Sequence, residues 1–166
     1  MKKKLIRLFL SGLICTALCA GFAGCGSTEN SDQDFGDEEY DVETLTNEYA
    51  PQLLHDGAKT LTGSVELTGS EGNYILLIHQ KEVVVNEDYE DGYYIADRNM
   101  TTEHDYGSDA GIVIEKGGVL DVCSTQDFID YYSGKDDSLY TVYLIDDTVE
   151  LIMPLDPQTV VASQTQ

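Results

Sequence analysis

The chain has 166 residues, and its 31 Asp and Glu against nine Lys and Arg give a formal net charge of −22 at pH 7. A surface of that sign repels phosphate backbones, whose binding rests on Lys and Arg neutralising phosphates, and this excludes nucleic acid as a partner. Cations and basic proteins are the partners that such a charge favours.

The N-terminus reads MKKKLIRLFLSGLICTALCAGFAGC. Lys2, Lys3, Lys4 and Arg7 form a basic start of the kind held on the cytoplasmic side of a membrane. Residues 8–23 carry no charge. That run is shorter than the roughly 20 residues a permanent spanning helix needs, so an uncleaved anchor is the poorer reading. A basic start, a short apolar middle and a small-residue exit have the pattern of a secretory signal. The exit, Phe22-Ala23-Gly24-Cys25, resembles the lipobox of bacterial lipoproteins. The resemblance implies removal of residues 1–24, diacylation of Cys25 through its thiol with palmitate-type chains, and anchoring on the extracytoplasmic face of a bacterial membrane. Phe22 departs from the usual Leu, while Ala23 and Gly24 supply the small side chains the cleavage needs. Two acyl chains make attachment stable, because each buried methylene contributes about 0.8 kcal/mol.

All 31 acidic residues follow Cys25 and four of the nine cations precede it, so the exported part carries 26 net negative charges. Residues 25–43 read as a lipidated, disordered acidic tether, too poor in apolar side chains to offset ordering entropy. With Cys25 lipidated and Cys15 and Cys19 removed with the signal, Cys123 alone remains, so no intrachain disulfide is expected. Residues 44–156 suffice for one compact domain. It is expected to open with a short helix over 44–59, broken or started by Pro51, with Leu53 and Leu54 as its contact.

From residue 60 onward the pattern is mostly β. Strands are expected over 60–67 and 74–78, with a continuation or a new short strand at 83–85 and another over 93–96. Residues 69–73 and the acidic run 86–92 read as turns, and 97–111 as a polar loop. Residues 112–123 read as a hairpin around Gly117-Gly118. A helix follows, capped by Ser124 or Thr125, with Asp127 in its first turn and Gly134 ending it. Two last strands, 139–145 and 149–153, flank Asp146-Asp147, and 157–166 reads as a frayed tail. The near-copy LTGS at 61–64 and 67–70 reads as coincidence rather than a solenoid repeat. The fold class is mainly β with one short helix, a small antiparallel barrel or rolled sheet of six to eight strands. By strand spacing around the single late helix it is also similar to an oligonucleotide/oligosaccharide-binding barrel; an α+β sandwich is a further alternative.

Chemistry-bearing motifs are scarce. Cys123 sits in VLDVCS without a family signature, and reads as a small sheet hydrophobe rather than a nucleophile. No G-x-S-x-G elbow and no phosphate-cradling loop occurs. Asn86, Asp88 and Glu90 alternate like calcium ligands, but Asp91 stands where the loop needs glycine and Asp97 where it needs glutamate. Asp97, Asn99, Glu103, Asp105 and Asp109 follow no recognised order, so both acidic stretches read as solvated loops open to weak divalent-cation binding at most. No catalytic residue, metal site or cofactor is expected. Tyrosine is abundant, at 11 against four Phe and no Trp, and exposed tyrosines suit recognition surfaces. Arg98 is the one arginine of the exported part, and strand alternation puts it on one face with Tyr94, as a candidate ligand-binding pair. Three functions stay open: a non-enzymatic module binding an envelope protein, peptide or glycan; an envelope hydrolase using an acidic pair such as Asp146-Asp147; and a cation-dependent adhesion or sensor domain.

Overall fold

The computed structural model describes residues 41–164 except Glu71 and Asp136. The lipobox with Cys25, and the tether up to residue 40, lie outside the described residues. The first described element is helical: α1 (Val42–Thr44), a π-helical turn (Leu45–Tyr49) and α2 (Ala50–His55). Asp41 caps it by accepting from the Thr44 N–H at 2.7 Å, and that bond lowers the carboxyl's pKa. The tether boundary expected at residue 43 therefore runs into this helix. Pro51 sits in the first turn of α2, directly after the π-helical turn. Leu53 is buried as expected, but Leu54 faces solvent at 52% exposure.

Six strands follow: β1 (Lys59–Ser70), β2 (Asn73–Val85), β3 (Tyr93–Lys116), β4 (Val119–Val122), β5 (Tyr140–Ile145) and β6 (Thr148–Pro154). The fold is mainly β. Five strands close a ring in the order β1-β2-β3-β6-β5, and β4 hangs on the outer edge of β3. All pairings are antiparallel except β3 with β6. One core fills the ring, built on Val65, Leu67, Leu76, Ile78, Ile112, Ile114, Val142 and Ile152. Between neighbours in sequence the side chains swap faces, so Val113 and Leu151 point outward. There they meet Leu45, Ala50 and Leu53 in a second apolar cluster. Burial on both faces is why 112–114 and 151–153 read as unbroken apolar runs.

At two glycines β1 passes unusually close to β2. A Cβ on Gly63 would stand 2.1 Å from the His79 carbonyl oxygen, and one on Gly69 would stand 2.3 Å from that of Asn73. The LTGS echo thus has a physical content: both copies place a glycine where β1 presses on the β2 backbone.

The expected polar loop over 97–111 is instead the middle of the 24-residue β3. Its inward positions are filled by Thr102 and His104 rather than by aliphatic side chains, so hydrophobicity does not alternate. Two irregularities interrupt the strand. Its register against β2 shifts between His79 and Lys81, opposite Asn99, which takes a left-handed φ of 51°. Its register against β6 shifts between Tyr106 and Gly111.

Helix α3 (Thr125–Tyr131) matches its expected signals. The Ser124 hydroxyl accepts from the Asp127 N–H at 3.1 Å, and Gly134 takes a φ of 72°. Phe128, with no exposed surface, packs edge-on against Tyr140 and seats the helix on the core. The turn after α3 satisfies β1, since Gly134 donates to Val65 and the Leu67 N–H donates to the Ser133 hydroxyl. Where a frayed tail is expected, residues Pro157–Gln164 form a last helix, α4.

Candidate functional site

Beyond the irregularity at 98–100, β2 and β3 run on together as an arm whose tip is the acidic turn 86–92. Lys81 pairs with Asp97, Val83 with Ile95 and Val85 with Tyr93, so these side chains share one face. An open cleft of about 520 Å³ lies on that face, lined by Lys81, Tyr93, Ile95 and Asp97. Its other wall is Leu139, Leu155 and Pro157, with Asp137 at the side. A second open cleft, of about 350 Å³, also contains Lys81 and Leu155, and adds Glu82, Arg98, Val160 and Gln164. Helix α4 packs against β2 and contributes to both clefts, through Pro157 to the larger and through Val160 and Gln164 to the smaller. The Gln158 amide donates to the Asp91 carbonyl at 3.3 Å, holding α4 to the tip of the arm.

The residues picked out by sequence are placed as follows. Tyr94 and Arg98 do lie two alternations apart on β3, opposite Val84 and beyond Ala96. Tyr94 packs on Tyr89 with ring centres 5.0 Å apart and lines neither cleft. Arg98 lines the smaller cleft and is ion-paired with Glu82 at 2.6 Å. Both partners are about half exposed, so the pair contributes roughly 0–1 kcal/mol. Of the two, Arg98 alone lines a cleft. Lys81, Ile95 and α4 were invisible as site components, because alternation marks two faces of a strand without saying which one becomes concave.

The structure also holds an array that sequence spacing did not suggest. The His104 Nδ1–H donates to Asp147 at 2.8 Å, and its Nε2 accepts from the Thr102 hydroxyl at 2.9 Å. Hydroxyl, imidazole and carboxylate are in the order of a nucleophilic triad. However, His104 is only 8% exposed, and none of the three residues lines either cleft. The array clips the β5–β6 turn, where Asp146 and Asp147 have left-handed φ values of 49° and 71°, onto β3.

Cys123 is a buried free thiol whose pKa is pushed up to about 11, first by burial and then by the nearby Asp127 and Asp121 carboxylates. That is the opposite of what a thiolate nucleophile needs. In the acidic turn, the Asn86 side chain accepts from the Asp88 N–H at 2.9 Å and so shapes the loop. Among the described residues no group of three or more His, Cys, Asp or Glu is placed to hold a metal. Nor is any helix among them long and apolar enough to cross a membrane.

No protein-family model matches the chain, and it matches no curated protein and no solved structure.

Proposed function

We propose that this chain is a lipid-anchored, extracytoplasmic lipoprotein whose domain is a non-enzymatic binding module for an envelope protein, peptide or glycan. The anchor rests on the basic start, the short apolar run and the Phe22-Ala23-Gly24-Cys25 exit. With 26 net negative charges after Cys25, the domain is repelled by anionic headgroups and stands off the membrane on its tether.

The observation that carries the binding reading is the pair of open clefts on the arm, where Tyr93, Ile95 and Leu155 lie beside Lys81 and Asp97. Apolar area with a few placed charges is the make-up of a recognition site. Five ring strands and a helix before the last two are also similar to oligonucleotide/oligosaccharide-binding barrels, whose ligands lie on the face of the second and third strands. The hydrolase reading has less support. Asp147 is committed to His104, and the larger cleft, which holds Asp97 and Asp137, is open and shares its lining with Lys81.

Capture from envelope extract by the immobilised exported chain tests the reading. Ile95→Glu should abolish capture of the retained species, whereas Leu54→Glu on α2 should not. Equal capture by both variants would remove the cleft from the account.

A further inference from the structure

The β1–β2 ladder stops before either strand does. It runs from Ser70 opposite Asn73 to Gly63 opposite Gln80. Beyond that point residues 59–62 of β1 pair with β5 and residues 81–85 of β2 pair with β3, so the two strands part as a fork. The smaller cleft lies in it, lined by Thr60, Leu61 and Thr62 from β1 and by Gln80 and Val83 from β2.

Bonds on either side of the fork fix the main-chain directions within it. In an antiparallel ladder a residue turns its N–H and its C=O to the same neighbour, and successive residues alternate. The Val65 carbonyl accepts from the Gly134 N–H at 2.9 Å, and the Leu67 N–H donates to the Ser133 hydroxyl at 2.7 Å. Odd-numbered residues of β1 therefore address the side away from β2, and Thr60 and Thr62 aim their N–H and C=O into the fork. On β2, the Asn86 N–H donates to the Gly92 carbonyl at 2.8 Å. That bond sets the phase against β3 and turns the main-chain groups of Val83 and Val85 toward the fork as well. Val83 is only 7% exposed, whereas Thr60 is exposed and Thr62 half-buried, so β1 has the reachable edge. Among the described residues no strand pairs with β1 there.

We propose that the smaller cleft takes an extended peptide segment of an envelope protein, which adds to β1 as a strand through the N–H and C=O of Thr60 and Thr62. This rests on the clefts being the binding site, and it selects a peptide from among the partners open to them. A donor and an acceptor repeating at every second residue are matched by another polypeptide backbone, which is what binding by strand addition uses. The added strand turns alternate side chains into the cleft, where Val83, Leu155 and Val160 favour apolar ones.

Thr62→Pro removes an N–H aimed into the fork and spares the β1–β5 bonds, which odd-numbered residues make; proline is tolerated on an edge of that kind. Thr62→Val keeps the main chain and removes only the hydroxyl. The probe is a fluorescein-labelled peptide of alternating Val and Ser, with a copy N-methylated throughout as control, read by anisotropy on the full chain in detergent. The peptide should bind and slow amide exchange at Thr60 and Thr62, and the N-methylated copy should do neither. Thr62→Pro should weaken binding about tenfold and Thr62→Val by under about twofold. Thr60→Pro, checked by urea melting, carries the same test if Thr62→Pro unfolds. Equal binding of the N-methylated copy, equal weakening by Thr62→Val, or no binding with unchanged exchange would overturn strand addition. Capture from envelope extract separates this from the reading beneath it. Capture lost in Ile95→Glu but kept in both proline variants would overturn strand addition and leave the clefts standing, and capture kept in all three would overturn both.

Discussion

Replacing Gly63 by alanine puts a methyl group 2.1 Å from the His79 carbonyl oxygen and 2.8 Å from its carbon, where ordinary contacts begin at 3.4 Å. Backbone cannot turn aside as the end of a side chain can, so β1 and β2 must separate by roughly 1 Å at their closest point. Hydrogen bonds of about 2.9 Å stretched by that amount cease to be bonds. Gly63 pairs with Gln80 on one side and Tyr140 on the other, so both ladders that carry the ring through β1 feel the change. One or two weakened bonds at about 0.5–1.5 kcal/mol each, with about 1–3 kcal/mol of overpacking strain, give a loss of about 1.5–6 kcal/mol. For a domain stable by about 5–15 kcal/mol this is a severe lesion. Urea denaturation of the unlipidated exported chain measures it, with Gly72→Ala as control. Gly72 has a φ of +79° but open space around it, so alanine there carries only a left-handed backbone cost of about 1–2 kcal/mol. A Gly63→Ala midpoint within about 0.5 kcal/mol of the parent would refute the idea that the β2 backbone leaves no room for a side chain here.

Asp147→Ala removes the acceptor of the His104 ring and strains a residue at φ 71°, and should cost about 2–4 kcal/mol, whereas Asp147→Asn keeps both features and should cost under about 1; comparable losses in urea melts would mean that the array clips nothing. Burial holds Cys123 at about 11 against its ordinary 9.0, and Tyr106 at about 12 against 10.0. The unfolded chain therefore releases these protons first, so stability is complete below pH 9 and should decline as pH rises through 11 and 12. Cys123→Ala should remove the part of the decline that begins near 9, and an unchanged profile in that variant would contradict the assignment. Cys25→Ser should abolish palmitate labelling and leave precursor or released protein, and persistent labelling would exclude the lipobox.

What the sequence made legible was what one physical signal decides locally. Ser124, Asp127 and Gly134 marked the ends of α3, and Gly117-Gly118 and Asp146-Asp147 marked turns whose φ values are indeed positive. The middle of β3 was illegible because a strand is read by alternating hydrophobicity, and Thr102 and His104 occupy its inward positions with polar groups that satisfy one another. The role of Gly63 and Gly69 was hidden for a different reason. Their need is set by the β2 backbone, which comes near only after the chain has folded back. Helix α4 is weakly patterned and stays formed through tertiary contact with the arm, so no local rule announces it. The clefts combine residues from β2, β3, the segment before β5 and α4, and no spacing along the chain brings those together.

Site-specific photocrosslinking in living cells tests the binding reading most directly. A photoreactive side chain at Ile95, 38% exposed inside the larger cleft, should trap a discrete envelope species, and the same group at Leu54, more exposed but on α2, should not. A discrete adduct from Leu54 with none from Ile95 would place recognition on the helical segment and contradict the account.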